Sequence, residues 1–315
     1  MVKQVAGYCV VFAAVLLLPG CGLTDHGFLA SAGPVAQAER DHFFSIIGWT
    51  LIVIVPLFVA APIVLWKYRI GKKGAVYRPN WDFSWILEGL IWGLPVVVVA
   101  VLGWNLWQVS HKLDPYKPIA HDRPALDVQV VSLDWKWLFI YPDQHMAAVN
   151  ELVLPVDRPI HFSLTSATVM QSFMIPRLGS QIYTMPGMVT QLHLLAAKPG
   201  RYGGLNTQYN GEGFAEQKFS VQAVSAARFH EWVADQRSRP ALDMAEYRKL
   251  SERSILPEPK TFGRAPSKLF ERIVSDAKRI PAASTAVAAP KSDHEKQREK
   301  ERLKQQRRDY REQQS

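Results

Sequence analysis

Between Val169 and Phe219 the chain gathers side chains that could hold a soft metal: Met170, Met174, Met185 and Met188, with His193 nearby. Thioether and imidazole ligands suit copper. Methionines alternating on strands are more commonly adaptable core filling, and that is the reading favoured here. His145 and Met146 sit beside a turn with no partner spacing around them, and His161 and His193 alternate with apolar residues as ordinary strand histidines do. No Ser/His/Asp arrangement, phosphate-binding loop or paired carboxylate set has a spacing that implies catalysis in this chain alone. Glu88 is the acid at the entrance to the second of two long apolar runs. An ionisable group at a membrane boundary can guide protons, or can be a plain surface carboxylate near a basic loop.

The elements that position these residues follow from composition and pattern. A chain of 315 residues has room for two domains. Its net charge of +9 comes mainly from residues beside an apolar run and in the terminal tail, so nucleic acid is not expected as a partner. The two cysteines, Cys9 and Cys21, leave no internal disulfide framework for the rest of the chain. Residues 1–20 carry Lys3, a short apolar core and then Leu18-Pro19-Gly20-Cys21, which reads as a signal peptide of lipoprotein type with Cys21 as the lipidated residue. Residues 21–42 form a polar extracytoplasmic spacer rich in Gly, Ala and Ser.

Residues 43–66 are uncharged and span about 36 Å at 1.5 Å per residue, enough for a first transmembrane helix. Trp49 and Trp66 lie toward its ends, where aromatic belts form. Residues 67–87 begin with Lys67, Arg69, Lys72, Lys73 and Arg78 and no acid, the mark of a short cytoplasmic loop. Residues 88–110 cross back, leaving both ends of the hairpin outside the cytoplasm.

From 111 to 225 the pattern is β. Leu126, Val128 and Val130 alternate with Asp127 and Gln129. Further strands are predicted at 135–141, 151–154, 160–165, 191–195 and 219–224. Pro-rich and Gly-rich turns separate them, a spacing that suggests a sandwich of antiparallel sheets. Residues 226–283 read as helical, with Ser225 capping one helix and Ser267 another, and a weaker helix between at 241–250. Residues 284–315 end in a mixed-charge run without an apolar stripe, expected to be a disordered tail.

Ordered motifs then identify a family. Val169-Met-Gln-Ser-Phe-Met-Ile-Pro-Arg-Leu-Gly179, Ala75-Val-Tyr-Arg-Pro-Asn-Trp81, Glu88-Gly-Leu-Ile-Trp-Gly-Leu-Pro95 and Val131-Ser-Leu-Asp-Trp-Lys-Trp-Leu-Phe-Ile-Tyr-Pro142 resemble subunit II of bo-type ubiquinol oxidases, members of the haem–copper terminal oxidase superfamily. The resemblance covers roughly residues 1–280 and implies a cupredoxin-like fold for the β domain. In the cytochrome c oxidase branch of that superfamily, a binuclear copper pair is held by a His before the Ser-aromatic run and by a later Cys-x3-Cys-x3-His-x2-Met run. Here Gln171 stands at the first His, and Tyr209, Gly213, Gln217 and Ser220 stand at the Cys, Cys, His and Met positions. A mixed-valence pair needs bridging thiolates, so no metal and no cofactor is expected in this chain.

The resemblance further implies a non-catalytic subunit of a proton-translocating ubiquinol oxidase that reduces dioxygen to water. Haem and copper are expected in the partner subunit I. Small membrane subunits, membrane lipid and ubiquinol complete the surroundings, at the bacterial inner membrane with the large domain in the periplasm. By the same resemblance Glu88 marks the entrance of a proton pathway into subunit I. Asp134-Trp135-Lys136-Trp137 lies where electrons enter cytochrome c oxidases; here, without copper, core and interface packing is expected. The alternative from another class is a membrane-anchored lipoprotein scaffold or binding module with a cupredoxin fold.

Overall fold

The computed structural model describes residues 27–69, 80, 82–279 and 293–312. The signal peptide and the lipidation position Cys21 lie outside the described residues, as does most of the basic loop.

Helix α1 (Pro34–Lys67) and helix α2 (Trp85–Lys112) contain 18-residue stretches with mean hydropathies of 2.4 and 2.2, and both are long and apolar enough to cross a membrane. α1 starts well before the apolar run because Pro34, with its φ pre-set and no N–H to satisfy, suits the first helical position. Pro56, Pro62 and Pro95 lie inside the two helices.

The β domain has two sheets. The first runs β11-β3-β2-β1-β5-β8 and the second β4-β10-β9-β6-β7. The strands are β1 (Leu126–Leu133), β2 (Lys136–Tyr141), β3 (Met146–Val149), β4 (Glu151–Pro155), β5 (Pro159–Ser166), β6 (Gln171–Ile175), β7 (Gly179–Thr184), β8 (Thr190–Leu195), β9 (Gly200–Asn206), β10 (Lys218–Val224) and β11 (Lys260–Phe262). The sheets are mixed rather than wholly antiparallel, since β1 pairs with β5 and β10 with β4 in parallel. The cause is a change of sheet at Asn150. Its φ of 58° turns the chain from β3 in one layer to β4 in the other, so β5 returns alongside β1 in the same sense. Asparagine tolerates this left-handed backbone, and its Oδ1 accepts the Trp137 N–H at 2.9 Å.

Trp137, Phe139 and Tyr141 of β2 point between the sheets to meet Phe162, Phe173 and Phe219. The ring centroids of Phe173 and Phe219 stack at 5.2 Å, and Trp137 meets Phe173 edge-on at 5.3 Å. Phe219 lies across β9 at Gly204, its register partner, where a Cβ would come within 2.0 Å of the ring. The alternation expected for β1 holds only from Leu126 to Val130. Beyond it both faces are buried, because the C-terminal region covers the outer face of the first sheet.

That region is α3 (Ala226–Gln236), α4 (Met244–Ser251) and α5 (Leu269–Arg279), with β11 added at the sheet edge. Ser225 caps α3 as expected, its hydroxyl accepting from the Arg228 N–H, and Asp243 caps α4. Phe262, Leu269, Phe270 and Ile273 pack on Val131, Leu133, Leu138 and Ile140 in a second core.

Two segments depart from the sequence reading. Residues 27–37, expected to be part of a spacer, belong to the β unit. Ala32 is 1% exposed, its N–H donates to Arg177 O, and its carbonyl accepts from Ala197 N. Small residues allow this close seat; a Cβ on Gly33 would stand 2.2 Å from Leu195 O. The terminal run, expected to be disordered, contains α6 (Asp293–Glu312). It is held without a full apolar stripe: Leu303 reaches Trp135 and Ile255 in a small third core.

Candidate functional site

Gln171 opens β6, and Gln217 follows a short 3-10 turn at Phe214–Glu216 just before β10. Both side chains are buried, 0% and 1% exposed, and they meet. Gln217 Nε2 donates to Gln171 Oε1 at 2.5 Å and to Leu133 O at 3.3 Å. Gln171 Nε2 donates to the same carbonyl at 3.2 Å and to Thr168 Oγ1 at 3.2 Å. Gln217 Oε1 accepts from Asn206 Nδ2 at 3.0 Å and Asn210 Nδ2 at 2.7 Å. Asn206 Oδ1 accepts from the backbone of Ser172 and Gln208. Each Gln thus uses both amide protons, and Gln217 both carbonyl lone pairs, as burial requires.

Of the five sequence-marked positions, the structure brings together only these two. Tyr209 is 72% exposed and turns its ring toward Phe214 at 5.7 Å. Gly213 lies under the Trp135 indole, where a Cβ would fall 2.2 Å from Cδ2. Ser220 sits in β10 opposite Gly203 and Glu151. Asn206, Asn210 and the Leu133 carbonyl were not singled out from the sequence. Asn206 ends β9 and Asn210 lies in the loop that follows, where no periodicity marks them.

The Asp134–Trp137 stretch is buried throughout, at 7%, 4%, 1% and 0% exposed. Trp135 has φ 66°, and its Nε1 donates to Asn210 O at 3.4 Å. Asp134 pairs with Arg253 at 2.9 Å. Lys136 donates to Glu252 O at 2.7 Å and Ser254 Oγ at 2.6 Å. Burial pushes the Lys136 ammonium down to about 8, with Asp134 and Glu252 opposing the shift. These contacts are packing and anchoring.

Met170 and Met188 are exposed, and Met174 and Met185 are half-buried. His193 stacks on His161 at 4.8 Å, and His161 Nδ1 meets Asp127 at 2.7 Å. Among the described residues no group of three or more His, Cys, Asp or Glu could hold a metal ion.

Glu88 lies in the first turn of α2, where a carboxylate complements the helix dipole. Its Oε2 accepts from Trp92 Nε1 at 3.0 Å.

Residues 107–224 match the family model for the cytochrome c oxidase subunit II periplasmic domain. The chain is 41% identical over 264 residues to cytochrome bo(3) ubiquinol oxidase subunit 2 of Pseudomonas aeruginosa, covering 84% of this chain and 79% of that protein. It is 44% identical over 249 residues to ubiquinol oxidase subunit 2 of Acetobacter aceti, with 78% and 80% covered. Quinol oxidase subunit 2 of Bacillus subtilis is 37% identical over 251 residues, with 79% and 76% covered. Two membrane-length helices, a cupredoxin-like sandwich and this degree of identity over most of both chains make the protein a membrane-anchored terminal oxidase subunit, and it belongs to the ubiquinol oxidase subunit 2 family.

Proposed function

We propose that this chain is the non-catalytic subunit II of a proton-translocating ubiquinol oxidase reducing dioxygen to water, and that its β domain holds no binuclear copper centre. The observation that carries the reading is the amide pair. Gln171 and Gln217 stand at the histidine positions; Gln217 spends its donors on Gln171 Oε1 and Leu133 O, and Gln171 spends its own on Leu133 O and Thr168 Oγ1. The remaining positions offer a solvent-facing phenol, a glycine beneath Trp135 and a strand serine. This donor set does not fit a copper pair, which is tuned by soft thiolate. With no metal relay for a soluble carrier, electrons enter from ubiquinol in the membrane. The haems, the remaining copper and the oxygen chemistry reside in subunit I. This chain's own part is mechanical: its two helices pack beside subunit I and small membrane subunits, and its domain covers the periplasmic face of the inner membrane.

A complex purified through a tag on this chain should oxidise ubiquinol and show haem in its visible spectrum. Stoichiometric copper in this chain with a purple thiolate band would overturn the reading. Recovery without any haem-bearing partner would favour the scaffold lipoprotein instead.

Glu88 is assigned the entrance of the proton pathway. Glu88→Ala should slow steady-state quinol oxidation several-fold at unchanged haem content, and Glu88→Asp should recover part of the rate, since the charge stays while its reach shortens. Normal turnover per haem across pH would reduce Glu88 to a boundary carboxylate. Cys21 is assigned the lipid. Cys21→Ser should abolish acylation yet leave the protein in the membrane, because a spanning helix anchors more firmly than acyl chains. Mass spectrometry of the mature N-terminus decides the assignment; an unmodified Cys21 sinks it.

A further inference from the structure

The C-terminal helix α6 is seated on the rim of the amide site. Leu303 is 4% exposed and packs with Trp135 and Ile255. Gln306 Oε1 accepts the Ile255 N–H at 3.2 Å, and Arg302 donates to Arg253 O at 2.7 Å. On the other side, Lys300 and Lys304 line a 390 Å³ cavity with Tyr209, Glu212 and Phe214. The surface beneath is therefore an aromatic and aliphatic centre with the Glu212 carboxylate at its edge. That is the anatomy of a protein-docking patch.

The seat is also weak. A lone polar helix of this length is marginal in water, so its order comes from docking. Among its described side chains only Leu303 is buried. A segment held by one apolar anchor and a few exposed hydrogen bonds belongs to the low end of local stability.

We propose that α6 is a tethered strap occupying a docking surface made by Trp135, Ile255 and the 209–215 loop. The surface recognises a helical segment with one apolar anchor and lysines three places before and one place after it, and this chain supplies that segment itself. While seated, the strap withholds the aromatic rim of the amide site from other proteins.

Hydrogen exchange on the detergent-solubilised complex tests this through the Ile255 amide, whose acceptor belongs to the strap. In a complex whose chain ends at Ala283, exchange at Ile255 and in the 209–216 loop should rise roughly five- to thirtyfold, the range expected for losing a local contact of this strength. Leu303→Asp in the full chain should do the same, which keeps the test independent of truncation. A synthetic peptide of residues 293–312 should restore protection to the truncated complex at about millimolar concentration, the effective concentration a short tether supplies. The Leu303→Asp peptide should not. Unchanged exchange in both altered chains, failure of the natural peptide at that concentration, or equal protection by the two peptides would each overturn the proposal.

Discussion

Replacing Gln217 by alanine is expected to lower the stability of the β domain by about 3 kcal/mol. The side chain is the node of the amide site, taking two donors and giving two. Its removal leaves the Gln171 carbonyl and the Asn210 amide without those partners inside a buried region, each costing about 1–3 kcal/mol. Asn206 fares better, because its Nδ2 also donates to Gln208 O at 2.8 Å. Leu133 O keeps its bond from Gln171. Native-state exchange of β6 and β10 amides in the detergent-solubilised chain would show the loss. Gln217→Glu serves as the contrasting variant: it fills the volume but sets a carboxylate oxygen against Gln171 Oε1 or Leu133 O, so it should be no milder than alanine. A loss below about 1 kcal/mol for both would mean that the network contributes little.

A comparably large effect is expected where β9 passes directly against a ring of its neighbouring strand β10. Gly204→Val should destabilise the domain by about 3 kcal/mol or more, because overpacking at a fully enclosed ring leaves no room for relaxation. The added Cβ would meet Phe219 atoms at 2.0–2.5 Å. Phe219 cannot swing aside, since Phe173, Phe139 and Trp137 hold its ring on the other faces. Gly203, one residue earlier, faces open space, so Gly203→Val is the matched control and should cost far less. Equal effects from the two substitutions would contradict the packing described for β9.

The contrast between Gly203 and Gly204 also shows what a sequence can carry. Strands with alternating or β-branched residues, such as Leu126–Leu133 and Pro159–Ser166, were legible because burial on one face writes a period of two. Met146–Val149 and Gly200–Asn206 were not, since alanines and glycines carry little pattern and their pairing is decided by neighbours distant in sequence. β11 was hidden for the same reason, three residues recruited by the edge of β3. The membrane helices were visible from hydropathy, but the start of α1 was not, because helix extends through polar residues from Pro34, which sets φ. At the site, the five marked positions came from the resemblance to cytochrome c oxidases, while the convergence of Gln171 with Gln217, and of Asn206 and Asn210 upon them, is tertiary. Leu303 is a lone leucine in a run read only as lacking an apolar stripe; the presence of Trp135 and Ile255 beneath it makes it an anchor.

The amide network also bears on how the domain matures. Where an ion holds a loop, the loop is finished only when the ion is delivered, and metal binding then counts toward folding. Here the groups tying Gln171, Asn206, Asn210 and Gln217 together all arrive with the polypeptide. If the domain holds no copper, as proposed above, it completes itself as it folds, in copper-starved cells as in replete ones. A failure of the oxidase to assemble under copper starvation would then originate in another chain of the complex.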